Sequence, residues 1–257
     1  MDPQQVLALF DRKIRQEPGA DAGSVVEREP GIVRVVSSRD GWHGISWCDL
    51  HGLDADAVIA AQIQRFGRVG QPWEWKHYSH DRPADLPERL IAAGFEPDPV
   101  EGLLFAEVAD LPLDVSLPPG TTLRPVTDAA GADLLVRVHD EVFGGDHSRI
   151  GKDLLARIAD RPGSIAAAVV MAGDRPICAG RVEFHGGTEF AGLWGGGTVA
   201  DWRGRGVFRA LVAHRAALAA AAGYRYLQVD ASADSRPILQ RLGFLQLATT
   251  TPFVRNP

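Results

Sequence analysis

Residues 195–211, with the sequence GGGTVADWRGRGVFRAL, decide the fold of this chain. An apolar run at 189–198 leads into this segment, and an alanine- and leucine-rich stretch with helical spacing follows it. The turn between them, at 203–206, alternates arginine and glycine. The pattern predicts a strand that ends in a tight turn, and a helix that begins near Val207.

The start of that helix has the composition of an anion site. The first turn of a helix leaves main-chain N–H groups unpaired, and the helix dipole places partial positive charge there. Gly204 and Gly206 carry no Cβ, so a ligand can approach the main chain closely. Arg203, Arg205 and Arg209 add guanidinium groups that pair with phosphate oxygens in a forked geometry. The segment therefore predicts a pyrophosphate site.

Three nucleotide-binding patterns can be compared with this turn. A dinucleotide fingerprint, G-x-G-x-x-G, meets Arg209 at its third glycine, and no second βαβ unit accompanies it. The P-loop pattern is absent. Residues 203–208, RGRGVF, do resemble the acetyl-CoA signature Gln/Arg-x-x-Gly-x-Gly/Ala of the GNAT N-acetyltransferases, with Phe208 in place of the last small residue. A helix start that binds no ligand is the remaining alternative.

The rest of the C-terminal half predicts the element order of a GNAT domain. The predicted strands are 122–126, 164–171, 177–185, 189–198, 224–231 and 244–254, and the predicted helices are 128–142, 150–159, 207–222 and 235–242. The triplet LGF at 242–244 introduces the closing strand, as is frequent in GNAT proteins. The resemblance implies an α/β (α+β) fold with a mixed, mostly antiparallel central sheet flanked by helices.

The N-terminal half repeats part of this pattern. Residues 90–95 and 239–244 share the form L-x-x-x-G-F at an offset of 149 positions, and a helical stretch at 54–66 precedes the first copy. The same offset places 54–60, DADAVIA, where the second copy has its arginines and glycines. This predicts a degenerate, partial GNAT-like half that does not bind CoA. Chance recurrence of a common helix-turn-strand ending is the alternative.

A proline-rich segment divides the two halves. Residues 111–120, LPLDVSLPPG, hold three prolines and a glycine, which is typical of a linker. We therefore predict a GNAT-like N-terminal domain at 1–110 and a complete GNAT domain at 121–257. Residues 1–118 contain 11 Lys and Arg against 20 Asp and Glu, whereas residues 119–257 contain 16 against 13. The predicted phosphate site thus lies in the basic half.

The resemblance also implies which residues bind the acyl donor, acetyl-CoA. The end of the strand before the turn supplies main-chain groups to the pantetheine arm and an N–H to the thioester oxygen, and Ser235 lies near the pantetheine unless it only caps the next helix. The implied cofactor-binding residues are Gly196, Gly197, Thr198, Arg203, Gly204, Arg205, Gly206, Val207, Phe208, Arg209 and Ser235.

At the positions where GNAT enzymes usually have a general base and a general acid, this chain has residues that can serve as neither. Gly192 and Trp194 occupy positions where many GNAT enzymes have a general base. Leu239 occupies the position where they frequently have a tyrosine that acts as the general acid. We name Glu183 and Asp230 as catalytic candidates. Three further candidates are Glu189, Asp146 and His147. Alternatively, water carries the proton, or the protein binds acetyl-CoA without turning it over.

Composition excludes several classes of protein. The chain has 257 residues, 45% of them apolar and 23% charged, which is ordinary for a globular protein. Cys48 and Cys178 suggest buried thiols, and no metal-binding motif occurs, so we expect no metal. An acidic total without a Lys/Arg tract argues against nucleic acid, and no apolar run suits a membrane span. We expect a cytoplasmic protein, and no pattern indicates its oligomeric state.

The sequence therefore predicts an acetyl-CoA-dependent N-acyltransferase. Such an enzyme moves an acetyl group to an amine of a small molecule or peptide by direct attack on the thioester. The alternative is a non-catalytic acyl-CoA-binding or sensor protein, which the missing proton-handling residues favour. A scaffold without a ligand is a third, more distant interpretation.

Overall fold

A computed structural model describes residues 1–19, 23–37, 41–114 and 116–257 of the chain. These residues divide into two units. The N-terminal unit comprises Met1–Leu103, Ala231–Arg236 and Gln246–Pro257, and the C-terminal unit comprises Leu104–Asp230 and Pro237–Leu245. The predicted division into 1–110, 111–120 and 121–257 stays a prediction, and its positions 20–22, 38–40 and 115 lie outside the described residues.

The first half of the chain alternates short strands with three α-helices. Its elements are α1 (Pro3–Phe10), a π-helical segment (Asp11–Gln16), β1 (Ser24–Glu29), β2 (Ile32–Ser37), β3 (Gly44–Cys48), α2 (Ala55–Gly67), β4 (Trp73–Tyr78), α3 (Leu86–Ala92), β5 (Glu96–Pro97) and β6 (Glu101–Glu107). A single 3₁₀ turn, Val108–Asp110, follows.

The second half contains longer strands and the remaining four α-helices of the described residues. Its elements are β7 (Thr121–Pro125), α4 (Ala129–Phe143), α5 (Ser148–Asp160), β8 (Ile165–Ala172), β9 (Arg175–Phe184), β10 (Phe190–Thr198), a 3₁₀ turn (Ala200–Trp202), α6 (Val207–Ala221), β11 (Tyr226–Ala231), α7 (Arg236–Arg241) and β12 (Leu245–Arg255).

The N-terminal unit is built on a mixed sheet. Strands β1, β2 and β3 are antiparallel neighbours, β3 runs parallel to β4, and β4 pairs antiparallel with the C-terminal part of β12. Its core is aromatic: the rings of Phe66 and Trp73 stack at 4.2 Å, and Phe95 packs edge-on against Trp73 at 4.9 Å. Such stacked and edge-to-face pairs add to the free energy gained by burying the rings.

The C-terminal unit has a sheet with helices on both faces. Strands β7, β8, β9 and β10 are successive antiparallel neighbours, and β10 runs parallel to β11 across the α6 connection. In β8, Val169 packs with α4 and α5, whereas Val170 packs with Val207 and Leu211 of α6. A strand buried on both faces has a continuous apolar sequence, and β8 has the sequence IAAAVVMA.

This architecture confirms the predicted fold class, a mixed, mostly antiparallel sheet flanked by helices. The predicted helix 207–222 corresponds to α6, and the predicted strand 189–198 to β10. The predicted strand 224–231 begins later, at Tyr226, because the Tyr224 N–H still donates to the Ala219 carbonyl at the end of α6. Strands β1, β2 and β3 were not among the predicted elements.

Each unit contains the same type of strand–helix–strand connection. In each, two parallel strands are joined by a helix: α2 joins β3 to β4, and α6 joins β10 to β11. The residues that precede these helices, Asp54 and Gly206, are 152 positions apart. The two L-x-x-x-G-F segments are 149 positions apart, so the connecting segments differ in length by three residues between the two copies. The internal repeat itself stays a prediction.

The two helix starts differ in how their N–H groups are satisfied. In α2, the Asp54 carboxylate accepts a hydrogen bond from the Ala57 N–H at 3.1 Å. Helix α6 begins after Gly206 without any side-chain cap. The anion position of α2 is therefore filled by the chain's own carboxylate, whereas that of α6 is not.

We expect Asp54→Ala to lower the free energy of unfolding by about 1 kcal/mol, because the variant loses the cap of α2. Urea denaturation followed by circular dichroism measures this change. Asp98→Ala, which removes an exposed carboxylate of the same unit, is the control and should be neutral. Equal stability of the two variants would contradict the capping role.

Candidate functional site

Strand β10 carries a β-bulge just before the predicted phosphate site. Its register against β9 shifts between Trp194 and Gly197, so Gly195 and Gly196 together face one residue of β9. Gly195 has φ of +57°, in the left-handed region that side chains rarely adopt. A Cβ at Gly195 would lie 2.7 Å from Cε1 of His139. The bulge therefore requires glycine at position 195.

Strand β10 separates from β11 just before this bulge. The two strands pair in parallel from Phe190 opposite Tyr226 to Gly192 opposite Gln228. Both strands continue further, β10 to Thr198 and β11 onward from Gln228, but no later β10–β11 pair occurs among the described residues. Main-chain groups of β10 after the bulge are therefore left without a β11 partner.

Two buried basic side chains hold the bulge from opposite helices. His139 of α4 makes a 2.8 Å hydrogen bond through Nε2 to the Gly195 carbonyl oxygen. Since a carbonyl only accepts, Nε2 of His139 carries the hydrogen. Arg215 of α6 donates through Nη1 to the Arg181 carbonyl of β9 at 3.3 Å. Both strands at the irregular register are thus tied to a helix.

Burial lowers the pKa of both groups. His139 is 1% exposed, and burial lowers its pKa to about 4, aided by the nearby charge of Arg181, so the ring is neutral near pH 7. Burial also lowers the pKa of Arg215 to about 10, and this guanidinium stays charged. In the described residues, no carboxylate forms an ion pair with Arg215. Its hydrogen-bond acceptors are the main-chain oxygens of Leu211 and Arg181.

Sequence reasoning missed both of these residues. Their signal is a basic side chain at a position where helical periodicity expects an apolar one. His139 follows Leu135 by four residues, and Arg215 follows Leu211 by four, and both leucines are fully buried. A buried basic residue on an apolar helix face indicates a specific acceptor inside the fold.

The predicted phosphate site lies at the start of α6. Gly206 has φ of +84°, and the first bond of the helix runs from the Ala210 N–H to the Gly206 carbonyl at 3.0 Å. The preceding N–H groups of the first turn have no partner within the helix. A Cβ at Gly206 would lie 3.4 Å from Nη2 of Arg209. Open main chain and a guanidinium therefore meet at this helix start.

The two other arginines of the turn differ in their contacts. Arg203 donates through Nε to the Thr198 carbonyl at 3.1 Å, which ties the turn to the end of β10. The Arg205 guanidinium lies 4.8 Å from the centre of the Trp202 ring. Both arginines are exposed, as is Gly204. Arg203 therefore shapes the turn, while Arg205 keeps donors directed to solvent.

Three other predicted cofactor-binding residues have side chains that serve the fold. The Thr198 hydroxyl donates to Cys178 Sγ at 3.1 Å, and Val207 is 1% exposed within the core. Phe208 packs on the bulge: a Cβ at Gly196 would lie 3.0 Å from its ring. The large residue in the signature is thus matched by a glycine on the neighbouring strand. At Gly197, a Cβ would lie 2.9 Å from Val142.

Ser235 bonds within its own segment, Ala231–Arg236, which belongs to the N-terminal unit. Its hydroxyl lies 3.2 Å from the hydroxyl of Ser232. The Ser235 N–H donates to the Ser232 hydroxyl at 3.4 Å, so Ser232 is the residue that caps this turn. A role of Ser235 in cofactor binding stays a prediction.

The acidic catalytic candidates are engaged in other interactions. Glu183 bonds Arg157 at 2.7 Å and Arg181 at 2.9 Å, one through each carboxylate oxygen. Burial alone raises the pKa of Glu183, but the two guanidinium groups outweigh it and the net pKa is lowered. Asp230 accepts a hydrogen bond from Gln228 Nε2 at 2.7 Å. Glu183 is therefore a weaker base than an ordinary carboxylate.

The two candidates in the α4–α5 loop have different contacts. Asp146 accepts from the Ser148 N–H at 2.8 Å, and this bond lowers its pKa. His147 lies 3.0 Å through Nδ1 from Asp140 Oδ1. Asp140 also lines an open cavity of about 480 Å³ with Arg137 and Arg175. The loop thus holds one imidazole, paired with a carboxylate that itself lines this cavity.

The family's usual base position is filled by an indole. A Cβ at Gly192 would lie 2.6 Å from Nε1 of Trp194, so the Trp194 side chain lies against Gly192. Leu239 of α7, at the position where the family frequently has its general-acid tyrosine, is 1% exposed. A carboxylate at position 192 would therefore displace Trp194.

The structure contains no group of three His, Cys, Asp or Glu residues able to hold a metal ion within the part of the chain it describes. Over the same residues, no helix is both long and apolar enough to cross a bilayer. Cys48 and Cys178 are free, buried thiols, as predicted.

Comparisons with solved structures identify the fold. A GCN5-related N-acetyltransferase from Kribbella flavida superposes with a TM-score of 0.72 at 15% identity, over 100% of this chain and 96% of that one. A GCN5-related N-acetyltransferase from Sphaerobacter thermophilus gives 0.60 at 13% identity, over 99% and 86%. A tandem GNAT protein from the clavulanic acid biosynthesis pathway gives 0.58 at 12% identity, over 98% and 94%.

No protein-family model matches the chain, and no curated protein matches it either. The structural similarity extends over nearly the whole chain at low sequence identity. The protein therefore has the GNAT fold, as the RGRGVF segment predicted. Its reaction is a separate question, which the residues of the site must answer.

We expect Gly195→Ala to lower the free energy of unfolding by about 2 kcal/mol, because alanine is strained in the left-handed region and its Cβ meets His139. Chemical denaturation measures the change. Gly186→Ala, at a hairpin position with nothing within 4 Å of the new Cβ, is the control. A Gly195 variant as stable as the Gly186 variant would contradict this role of the bulge.

We expect His139 to make the protein less stable as the pH falls. Its folded pKa is below the unfolded value of about 6.5, so the unfolded state binds more protons between about pH 6.5 and about pH 4. The stability lost over that window is up to about 3 kcal/mol. Glutamine can still donate to Gly195 but does not titrate, so denaturation of His139→Gln should show a shallower pH dependence than wild type. An unchanged slope would contradict a neutral, buried His139.

Proposed function

We propose that this protein is an acetyl-CoA-dependent N-acyltransferase that acetylates an amine of a small molecule or peptide. The observation that carries the proposal is the uncapped start of α6, which follows a bulged strand that separates from its parallel neighbour. One feature offers donors for a pyrophosphate, and the other offers main-chain groups for an amide-containing arm. The GNAT fold supports this pairing of features.

The residues at the site fit the acyl donor. The first-turn N–H groups that follow Gly206, together with Arg205 and Arg209, would bind the pyrophosphate. Main-chain groups of Gly196 and Gly197 would bind the pantetheine arm and the thioester oxygen. The bound thioester supplies an activated acetyl group, so the protein needs only to position a neutral amine and remove one proton.

The N-terminal unit is proposed to be a scaffold that binds no CoA. Its equivalent helix, α2, is capped by Asp54, and a carboxylate at that point would repel a phosphate. We therefore propose one acyl-donor site per chain and a tandem arrangement of GNAT-like halves. The cytoplasmic location and the nature of the acceptor stay predictions.

A non-catalytic acyl-CoA-binding protein is the second candidate. Two observations favour it: Trp194 fills the space over Gly192, and the Phe208 ring lies against Gly196. The first removes the family's usual base, and the second narrows the space beside the bulge. Binding without turnover would follow if no other residue accepted the amine's proton.

We expect acetyl-CoA to raise the melting temperature of the protein. Ligand at about 100 times its dissociation constant contributes roughly 2.7 kcal/mol of stability. Gly206→Val should abolish the shift, because its side chain occupies the helix start. Gly223→Val is the matched control, since Gly223 has φ of +81° at the other end of α6. It should lose stability but keep the ligand-induced shift.

Turnover separates the enzyme from the binding protein. Release of CoA thiol from acetyl-CoA in the presence of primary amines is expected for the enzyme, whereas the binding protein gives a thermal shift without thiol release. Absence of any shift with millimolar acetyl-CoA or CoA would contradict both candidates.

A further inference from the structure

A carboxylate–imidazole pair, Asp140 and His147, links α4 to the start of α5. Oδ1 of Asp140 accepts from the His147 main-chain N–H at 2.8 Å and lies 3.0 Å from His147 Nδ1. Because an ionised carboxylate only accepts hydrogen bonds, Nδ1 of His147 carries the ring hydrogen. The lone pair of the imidazole is then on Nε2. Two bonds to one carboxylate oxygen fix both the tautomer and the ring direction.

The rings beside this pair connect it to the bulge. His147 packs edge-on against His139, with ring centres 5.8 Å apart, and His139 bonds the Gly195 carbonyl. Phe143 lies 6.1 Å from His147, and its ring lies 3.1 Å from where a Cβ at Gly197 would be. The Phe143 side chain is 54% exposed. A wall of three rings thus runs from the bulge to His147.

We propose that His147 is the base that accepts the amine's proton, with Asp140 as its positioning residue, and this rests on the acyl transfer proposed above. The amine nitrogen attacks the thioester carbon, the new C–N bond forms and the C–S bond breaks. One proton passes from the nitrogen to Nε2 of His147 and then to the departing thiolate, which leaves as CoA thiol. Exposed Phe143 would contact the apolar part of the acceptor.

Other groups near the bulge are less suited to this role. His139 uses its Nε2 hydrogen for Gly195, and burial lowers its pKa to about 4. Both oxygens of Glu183 bond guanidinium groups, and Asp146 accepts a hydrogen bond from the Ser148 N–H. His147 has a side chain that is 23% exposed, so it can meet both substrate and solvent.

Several charged or titratable groups surround His147. Asp140 and His139 face it from α4, Asp146 precedes it in the loop, and Lys152 of α5 interacts with Asp146. Arg181 of β9 lies beside His139. Asp140 is the closest of these groups to the imidazole, so its replacement is the most direct test of positioning.

The test compares His147→Gln, Asp140→Asn and Asp140→Glu in thiol release from acetyl-CoA. Acceptors are a panel of primary amines, with water alone as the last condition, across a range of pH. We expect His147→Gln to lower kcat by about 10²-fold and to remove the acid limb of the pH profile. Asp140→Asn should lower kcat less, and Asp140→Glu should restore part of it. His51→Gln, at an exposed position of the N-terminal unit, is the control.

Acetyl-CoA affinity, measured by titration calorimetry on each variant, separates this proposal from the proposed function. Unchanged affinity with lost turnover supports His147 as the base. Wild-type binding with an unchanged kcat and pH profile in His147→Gln overturns the base assignment and leaves the acyltransferase intact. Binding with no thiol release from any acceptor, water included, also overturns it. A wild type that does not bind acetyl-CoA contradicts the proposed function itself.

Discussion

The bulge at Gly195 and Gly196 is the constraint on which the rest of the C-terminal unit depends. An extra residue in β10 increases the local twist, and no β10–β11 pair follows Gly192 among the described residues. Main-chain groups are left without strand partners inside a fold where such groups cost free energy unless they are bonded. His139 and Arg215 satisfy part of that need. The rest of the open main chain is what a ligand could use.

Holding this irregular backbone requires burying two basic side chains. A buried charge without a counter-ion is expensive, yet Arg215 stays charged with only main-chain acceptors. His139 avoids that cost by remaining neutral. The two contacts therefore respond differently to pH. The His139 bond is a neutral hydrogen bond, and the fold loses stability there only when the ring is protonated at low pH. The Arg215 bonds come from a charged guanidinium and persist over the physiological range of pH. The free-energy cost of burying the Arg215 charge thus falls at the β9–β10 bulge, whose main chain Arg215 and His139 hold in place.

Much of the fold followed from the sequence, because local signals and the tertiary structure agree in the C-terminal half. The RGRGVF segment, the LGF triplet and the apolar periodicity place each element of this half within a few residues. The site was only partly predictable. Glycines at 195–197 suggested an open backbone, but the left-handed φ of Gly195 depends on register against β9. The partners His139 and Arg215 lie on distant helices. A basic residue on an apolar helix face signals a buried acceptor, but which main-chain oxygen it bonds is set by the tertiary fold.

The same limit applies to the proton-handling groups. Position counting along β10 found Gly192 and Trp194 and therefore no base, whereas the Asp140–His147 pair depends on how α4 ends and α5 begins. In the proposed function, binding of the donor and removal of the proton are assigned to different elements: α6 and β10 for the first, and the α4–α5 loop for the second. A substitution in the loop could therefore remove proton transfer without removing donor binding. The two candidate functions share the start of α6 as the donor site, and the proposed base, His147, adds a difference between them that lies in the loop.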